Sequence, residues 1–569
     1  MSNSTLYSCT NCGLRVGERK SSAIDPPSSA ALDALSKNND PPPPLEYHLL
    51  KQRYLETQSR VTSLDGQVLR LQNSLRAVLA EKKRLMGRLQ VWKGPLHPIR
   101  RLPDDILAYM FQTCVDRDLE AIRSFDPSDD ARYPGTLDTS RAPWCLGQVC
   151  KRWRSLTLSL PKLWTNFDIG WKYTDVYEYQ PQLEPLLALQ LQRCRDLPLT
   201  VSYCGEEVDD SEPYRSNQRF LMVLCSRSFQ WEDVTVRGDS LGLNHLLPYK
   251  GLFPSLRQLH LYLEEDDWDD SVKEAFIFED SPNLTRLTIT GAHGAFTSSS
   301  TQLPWTQITH YTSKEFDDPQ YELKNDVHFR LLPNMPNLEV CVLDCVDVDD
   351  QIDELVEAPW APLKLSLLRT LVLTCGEPTD SEPSSIGQLL DWLVLPNLRC
   401  LRLLGGFRAP TSLIGLLERS SCTLRELEII DTRLDRSELL QLVGSNLLRE
   451  ISTFTIGKFR NHSSTSISDV LLKRFKHVFS GKQKSIVLPK LQHLVLHGTK
   501  RWSDEVLLDV VASRRDLGMI GTLAGSITRL ESLTVRNAVL KGKSSIVSQA
   551  AGERLRVMQQ GGFIFENQC

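Results

Sequence analysis

Apolar residues recur along this chain with two different periods, and each period predicts a different architecture. From Tyr47 to Trp92 they recur as a heptad whose first and fourth positions are mostly leucine, valine or an aromatic residue. A seam longer than three or four heptads and unbroken by proline is typical of a coiled coil. We predict one helix over residues 45–93, roughly 70 Å long, that self-associates as a parallel dimer. A single helix that packs on its own chain is the alternative.

Beyond Trp164 the recurring pattern is Leu-x-x-Leu-x-Leu, often preceded by proline. Its clear copies begin at Leu256, Leu284, Leu338, Leu368, Leu398, Leu424, Leu491 and Leu530. Weaker copies begin at Ile308, followed by Tyr311, and at Leu448, followed by Ile451. Successive first positions then lie mostly 24 to 30 residues apart. This spacing resembles the period of leucine-rich repeats.

A repeat of this kind implies short parallel strands whose leucines point into a continuous core, each strand being buried by its neighbours. Helical stretches are predicted between the strands, for example at residues 384–392 and 437–443. We therefore expect an α/β leucine-rich-repeat horseshoe, an irregular solenoid, over residues 167–569. The repeats are irregular because Gly406, Thr432 and Thr499 stand where regular repeats place a buried asparagine or cysteine. Strands of an ordinary α/β sheet are the alternative.

Two shorter amphipathic segments lie between the heptads and the repeats. Residues 102–111 read Leu-Pro-Asp-Asp-Ile-Leu-Ala-Tyr-Met-Phe. The proline suits the first turn of a helix, the two aspartates lie at the positive end of its dipole, and the apolar residues form one stripe. Residues 149–156 read Val-Cys-Lys-Arg-Trp-Arg-Ser-Leu, and Leu163-Trp164 follows. This second segment also predicts a helix, with Val149, Trp153 and Leu156 on one face.

The ordered combination of these segments resembles an F-box, the small all-α module by which substrate receptors dock onto the Skp adaptor of cullin-based ubiquitin ligases. Two ordinary helices of a helical core are the alternative. The resemblance implies adaptor contacts through both segments, at Leu102, Pro103, Ile106, Leu107, Met110, Phe111, Val149, Cys150 and Trp153. The chain departs from the family by a long polar insertion at residues 116–143 and by Cys114, where a leucine is favoured.

Domain boundaries follow from these patterns, and the fold class is multi-domain. Residues 1–44 are rich in serine, proline and asparagine and are predicted to be a disordered tail, because they bury too little apolar surface to offset the entropy of ordering. The coiled-coil helix follows at 45–93, the F-box-like helical domain at 94–166, and the irregular repeats at 167–569.

Charge is distributed unevenly along the 569 residues. Residues 45–101 contain 12 Lys and Arg against 4 Asp and Glu, a balance of +8, so a net charge of −5 leaves −13 for the rest. A basic segment of this kind can meet nucleic acid, acidic protein or solvent. No apolar run approaches the roughly 20 residues that cross a bilayer, and the N-terminus lacks a signal-peptide pattern. We expect an intracellular protein, cytoplasmic, nuclear or both, with no membrane partner.

The sequence contains no recognisable catalytic constellation: it has no phosphate loop, no Gly-x-Ser-x-Gly elbow and no metal-binding histidine pair. Most of the 14 cysteines are scattered through apolar segments, as small buried hydrophobic residues are. Cys9 and Cys12 form half of a zinc knuckle, and a structural zinc site needs four ligands. We expect no enzymatic activity, no cofactor and no metal unless two chains share one through this pair.

In a horseshoe the residues between the leucines form an extended recognition surface. Tyr262, Arg286, Arg402 and Arg536 are the candidates for target binding, because aromatic and arginine side chains carry most interface energy. Mixed charges there suit a protein better than a nucleic acid. Rod, F-box and repeats together resemble F-box proteins with leucine-rich repeats of the expanded basidiomycete type. The resemblance implies a substrate receptor with an unknown protein target; a scaffold without a ligase is the alternative.

Overall fold

In the computed structural model, the described residues are 6–8, 15–17, 33, 35–37, 41–123, 135–169, 183–205, 221–238, 246–263, 277–291, 303–314, 326–345, 361–375, 385–407, 409–432, 434–457, 467–476, 487–497, 502–515, 527–536, 548–559 and 562–568. The chain divides into two compact units, Met1–Pro103 and Asp104–Cys569.

The first unit contains a strand pair and one long helix. Strands β1 (Leu6–Ser8) and β2 (Arg15–Gly17) pair antiparallel, with Tyr7 opposite Val16, inside the segment for which the sequence predicts disorder. Cys9 and Cys12 lie outside the described residues. Helix α1 (Pro44–Lys93) is continuous over 50 residues, which confirms the predicted helix. It begins on a proline, whose missing N–H leaves no donor unsatisfied there.

The second unit opens with a helical module, and its helices differ from the prediction in two places. They are α2 (Asp104–Arg123), α3 (Leu146–Val149) and α4 (Lys151–Ser159), followed by a 3₁₀ turn at Pro161–Trp164. Helix α2 extends eight residues into the expected polar insertion, because buried Val115 and half-buried Leu119 continue its apolar stripe. Val149 does not share a helix with Trp153: extended Cys150 separates them, and its Sγ accepts a hydrogen bond from the Trp153 N–H at 3.5 Å.

The rest of the second unit is built on a parallel sheet of 14 strands. In chain order its strands are β3 (Asn166–Ile169), β4 (Leu199–Gly205), β5 (Trp231–Gly238), β6 (Gln258–Leu263), β7 (Arg286–Gly291), β8 (His310–Lys314), β9 (Val340–Cys345), β11 (Thr370–Cys375), β13 (Cys400–Gly405), β14 (Glu426–Ile430), β15 (Thr453–Gly457), β16 (His493–His497), β17 (Ser532–Arg536) and β18 (Ile564–Gln568). Short strands β10 (Leu363–Lys364) and β12 (Leu393–Val394) pair separately.

Helices lie between many of the strands. They are α5 (Leu183–Cys194), α6 (Asp326–Leu331), α7 (Ser385–Trp392), α8 (Pro410–Ser420), α9 (Arg436–Gly444), α10 (Asp469–Phe475), α11 (Asp504–Arg515) and α12 (Gln549–Gln559). Helices α7 and α9 confirm the two predicted helical stretches within one residue. Helix α9 begins with a full capping box, in which Asp435 and Glu438 each accept a backbone N–H of the other.

Strands of the large sheet are neighbours in chain order, so each connection adds the next strand at the same edge. Because crossovers between parallel strands are right-handed, these connections lie on one face of the sheet. From β3 to β17, one residue of each strand in the large sheet is aligned in register with one residue of the next strand, which makes a row across the sheet. The residues of this row point into the covered face, and all of them are buried: Phe167, Val201, Val234, Leu259, Leu287, Tyr311, Cys341, Leu371, Leu401, Leu427, Phe454, Leu494 and Leu533. We call the opposite face the open face.

The large parallel sheet confirms the α/β class, and β3 and β18 form its two edges, so it is not a closed barrel. Its strands β3, β4, β5 and β18 carry no clear copy of the leucine pattern.

The predicted copy at Leu448 is wrong by three residues. Phe454 and Ile456 of β15, not Ile451 and Thr453, align with Leu427 and Ile429 of β14.

Asparagine side chains in the turns that precede three of the strands form hydrogen bonds to the backbone of the preceding repeat. The three Pro-Asn-Leu turns carry Asn283, Asn337 and Asn397. Each asparagine donates its Nδ2–H to a backbone carbonyl of the preceding repeat, on Pro254, Thr306 and Ser366, at 2.7–2.8 Å. The structure thus places repeating asparagines before the strand, rather than after it at the positions of Gly406, Thr432 and Thr499.

Candidate interaction surfaces

The inner side of the helical module joins its two halves. Leu107 and Phe111 of α2 are 0% and 1% exposed, and the Phe111 ring packs on Trp153 of α4 with centroids 4.8 Å apart. Both α2 side chains were predicted to contact an adaptor. Because they are buried, we reassign them as residues that position the surface; they do not line it.

The outer side of α2 is apolar and exposed. Ile106, Tyr109 and Met110 are 44%, 74% and 38% exposed, and Val149 at the end of α3 is 61% exposed. Arg152 of α4 forms an ion pair with Asp104 of α2 at 2.6 Å, which brings the beginnings of the two helices together. Exposed Cys150 immediately precedes α4. We call Ile106, Tyr109, Met110 and Val149 the apolar patch.

Leu102 and Pro103, also predicted as adaptor contacts, belong to the first unit and immediately precede α2 in the chain. Leu102 ends the 3₁₀ turn Pro98–Arg101, where its N–H bonds to the Ile99 carbonyl. Its side chain is half-buried, and Pro103 is exposed.

The helical module is packed firmly onto the first strands of the sheet. The Trp144 and Trp164 rings meet edge to face at 5.0 Å, and the Arg193 guanidinium of α5 lies over both, 4.8 and 4.3 Å from their centroids. Burial lowers the pKa of Arg193. Gln190 of α5 donates to the carbonyls of Trp164 and Asn166 at 3.3 and 2.7 Å. Module and sheet are therefore connected by stacking and hydrogen bonds, with only Thr165 between the 3₁₀ turn and β3.

All four candidate target-binding residues lie on the open face, but they do not form a cluster. Tyr262 and Arg286 are on neighbouring strands at opposite strand ends, since Tyr262 aligns with Thr290 and Arg286 with Gln258. Arg402 and Arg536 lie four and eight strands beyond Arg286. At about 4.8 Å per strand the set spans roughly 40 Å. The four residues therefore do not share one compact site.

Each candidate has neighbours on the open face that the sequence pattern did not identify. The Arg237 guanidinium lies 5.2 Å from the centroid of the Tyr262 ring, and Arg402 pairs with Glu428 of the next strand at 3.2 Å. Both contacts join adjacent strands in register. Because registers follow from strand pairing, the two partners could not be read from the sequence.

An imidazole lies beside each of the other two candidates: His310, which is half-buried, and His497, which is buried. Burial, reinforced by Arg286, lowers the pKa of His310 on the neighbouring strand. Burial, reinforced by Arg536, lowers the pKa of His497 to about 4. Both shifts favour the neutral imidazole over the charged one. The permanent positive charge beside each imidazole is that of the arginine.

A row of arginines that the sequence analysis missed lines the edge where the strands begin. The Arg399 N–H bonds to the Arg369 carbonyl at 2.9 Å, and the Arg425 N–H to the Arg399 carbonyl at 2.8 Å. The three residues are thus lateral neighbours, and all are exposed. They lie one position before β11, β13 and β14, which makes this part of the edge basic.

Burial raises the pKa of several thiols, among them Cys400, raised to about 11, and Cys341, whereas a nucleophilic thiol needs a lowered pKa. Within the described ranges, no group of three or more His, Cys, Asp or Glu could hold a metal ion. No helix in the described part of the chain has the length and hydropathy to cross a membrane.

Comparison with known proteins gives no family assignment. No protein-family model matches the chain, and no curated protein is significantly similar to it.

Proposed function

We propose that this protein is the substrate-recognition subunit of a cullin–RING ubiquitin ligase, with the apolar patch binding a Skp-type adaptor and the open face binding a protein target. The observation that carries the proposal is the two-sided helical module. On its inner side Leu107 and Phe111 are buried and the Phe111 ring packs on Trp153. On its outer side Ile106, Tyr109 and Val149 expose large apolar side chains. An exposed apolar cluster on a rigid support is typical of a protein-binding surface.

The sequence order around the patch supports an F-box-type assignment. Leu102-Pro103 precedes α2, and Val149-Cys150 precedes α4, so the F-box-like residues stand at the starts of the two helices that the Asp104–Arg152 pair brings together. The packing of Arg193 on Trp144 and Trp164 connects this module to the sheet. A bound adaptor would therefore be carried by the same unit that presents the target-binding face.

The target side of the proposal rests on the open face and its basic edge. Tyr262 with Arg237, and Arg402 with Glu428, supply aromatic and charged groups on a surface several strands wide. Replacing Tyr262, Arg286, Arg402 or Arg536 with alanine is expected to cost about 1–3 kcal/mol of target binding wherever the residue is a hot spot. Leu401→Asp would instead unfold the repeats, because Leu401 is fully buried.

The decisive experiment is adaptor co-purification with the full chain. Ile106→Asp and Tyr109→Asp should each weaken adaptor binding at least about tenfold, while the thermal unfolding temperature stays unchanged because both side chains are exposed. Leu102→Ala with Pro103→Ala should abolish binding. Val557→Asp is the matched control: Val557 is a similarly exposed apolar residue on α12 and should have no effect.

Two results would contradict the proposal. Undiminished adaptor binding by Ile106→Asp, Tyr109→Asp and the Leu102–Pro103 double variant would place the adaptor elsewhere. Absence of adaptor binding by the wild-type chain, with a protein partner still captured through the open face, would favour the alternative of an interaction scaffold without a ligase.

A further inference from the structure

Helix α1 exposes an apolar seam along most of its length. Its heptad positions a and d, other than Leu50, Thr57 and Lys82, are large apolar residues with 45% to 65% of their surface exposed: Tyr47, Tyr54, Val61, Leu64, Val68, Leu71, Leu75, Val78, Leu85, Leu89 and Trp92. A contiguous apolar stripe of this length is uncommon on a solvated surface and indicates a missing partner.

We propose that a second copy of this chain covers the seam, in a parallel dimer with the two α1 helices in register. The apolar seam supplies most of the stability of such a dimer, and the charges that flank it influence which partner and which helix direction are preferred. In a parallel dimer each residue at position g contacts the position-e residue five places later on the other helix. The g and e residues of α1 therefore test the proposal.

The g-to-e contacts of α1 are favourable in two heptads. Glu46 would meet Lys51 of the partner subunit, and Arg60 would meet Asp65 of the partner subunit. Each contact occurs twice in a symmetric dimer. The last heptad opposes them, because Arg88 would meet Lys93 of the partner subunit.

Lys82 is the single charged residue in the seam, and its neighbours on the other helix differ between a parallel and an antiparallel dimer. In a parallel dimer the hole that receives a position-a side chain includes the preceding position-g residue, so Lys82 would lie beside Glu81 of the partner subunit. Glu81 bonds Arg84 of its own helix at 2.6 Å, which keeps the carboxylate in the same stretch of helix.

An antiparallel dimer over the same span would place Lys82 opposite Thr57 of the partner subunit. The nearest position-g residues there are Arg53 of the partner subunit and Arg60 of the partner subunit, which repel a lysine. In the parallel dimer Lys82 would also face Lys82 of the partner subunit across the seam, and Glu81 of each helix would offset that repulsion. In the antiparallel dimer no acidic position-g residue would lie beside Lys82.

A charge-swap experiment with the full chain tests both the partner and the direction. Arg60→Glu and Asp65→Arg chains, each alone, should self-associate about tenfold more weakly than wild type in sedimentation equilibrium at low ionic strength. Mixed, the two chains carrying different tags should co-purify as a heterodimer of wild-type affinity, because both contacts between positions 60 and 65 are then attractive again. Arg70→Glu is the matched control: Arg70 is at outer position c, and its reversal should change nothing.

Three outcomes would overturn the proposal. The wild-type chain could sediment as a monomer at all concentrations, as expected for a helix covered by its own chain. Alternatively, the single reversals could leave self-association at the wild-type value. Finally, mixing the two chains could fail to restore affinity, as an antiparallel dimer requires, since it pairs g with g and e with e.

Discussion

Phe111 and Trp153 are 42 residues apart in the sequence, yet their rings pack with centroids 4.8 Å apart at an angle of 60°. Phe111 is buried in α2, and Trp153 is half-buried in α4. This contact fastens the two segments of the F-box-like pattern to each other. It also turns Ile106 and Met110, neighbours of Phe111 on the same helix, toward the exposed side.

Phe111→Ala is therefore expected to destabilise the helical module by about 3–5 kcal/mol, because it removes a buried aromatic ring. Part of that loss, about 0.5–1.5 kcal/mol, should disappear when Trp153 is already alanine, since the ring pair no longer exists. Denaturant unfolding of the four chains of this mutant cycle measures both values. Tyr109→Ala is the control on the same helix and should stay within about 0.5 kcal/mol. Equal effects of Phe111→Ala and Tyr109→Ala would contradict the packing described.

Gly457 on β15 and His497 on β16 provide a second test, because a Cβ on Gly457 would overlap the Cβ of His497. Gly457→Ala is expected to cost about 1–3 kcal/mol, since two paired strands must separate. Gly552→Ala in α12 is the opposite case: no heavy atom lies within 4 Å of its added methyl, and alanine favours a helix by up to about 1 kcal/mol. Thermal unfolding should show a lowered midpoint for the first variant only. A midpoint unchanged by Gly457→Ala would mean that the strands are less closely paired.

Arg514 on α11 is 1% exposed, and its guanidinium donates to three backbone carbonyls. They belong to Phe475, Val487 and Leu488, at 2.6, 2.6 and 2.9 Å. Burial lowers the pKa of Arg514 to about 10, so it remains charged at neutral pH. The residue thus joins the end of α10 to the segment before β16.

Arg514→Met should destabilise the C-terminal repeats by several kcal/mol, because three carbonyls lose their donors at about 1–3 kcal/mol each. Arg514→Lys should recover part of this, since an ammonium group keeps the charge but lacks the planar fork. The matched control is Arg474→Met at an exposed position of α10, expected within about 0.5 kcal/mol. Denaturant unfolding ranks the variants; equal stability of Arg514→Met and Arg474→Met would be inconsistent with a structural role.

His497 predicts a pH dependence of stability. Burial, followed by the charge of Arg536, lowers its pKa to about 4 in the folded chain, against about 6.5 when unfolded. Between these values the unfolded chain binds a proton that the folded chain does not. Stability should therefore fall as pH decreases from about 6.5 to about 4, by at most about 3 kcal/mol.

His497→Gln should remove that component, so the difference in unfolding free energy between wild type and variant should change over this pH window. His493→Gln, on the same strand, is the control for loss of an imidazole that bonds Ser532 at 2.8 Å. Parallel pH profiles for wild type and His497→Gln would show that His497 is protonated equally in both states.

The sequence by itself determined those elements whose apolar period is long or repeated. The heptads located α1 within one residue, and the leucine pattern located β6, β7, β9, β11, β13, β14, β16 and β17, because a leucine every second or third position suits only a strand buried on one side. It also located α7 and α9. These are local properties, which residues close in the chain can specify together.

Tertiary structure alone decided what depends on pairing between distant residues. The stretch from Leu448 to Ile456 fits the leucine pattern in two frames three residues apart, and pairing with β14 selected the frame of Phe454. Leu107 and Ile106 are adjacent and equally apolar, yet one is buried and the other exposed, because Phe111 and Trp153 fix which side of α2 faces inward. The arginine row at 369, 399 and 425 likewise exists only because parallel strands bring residues about 30 positions apart to one edge.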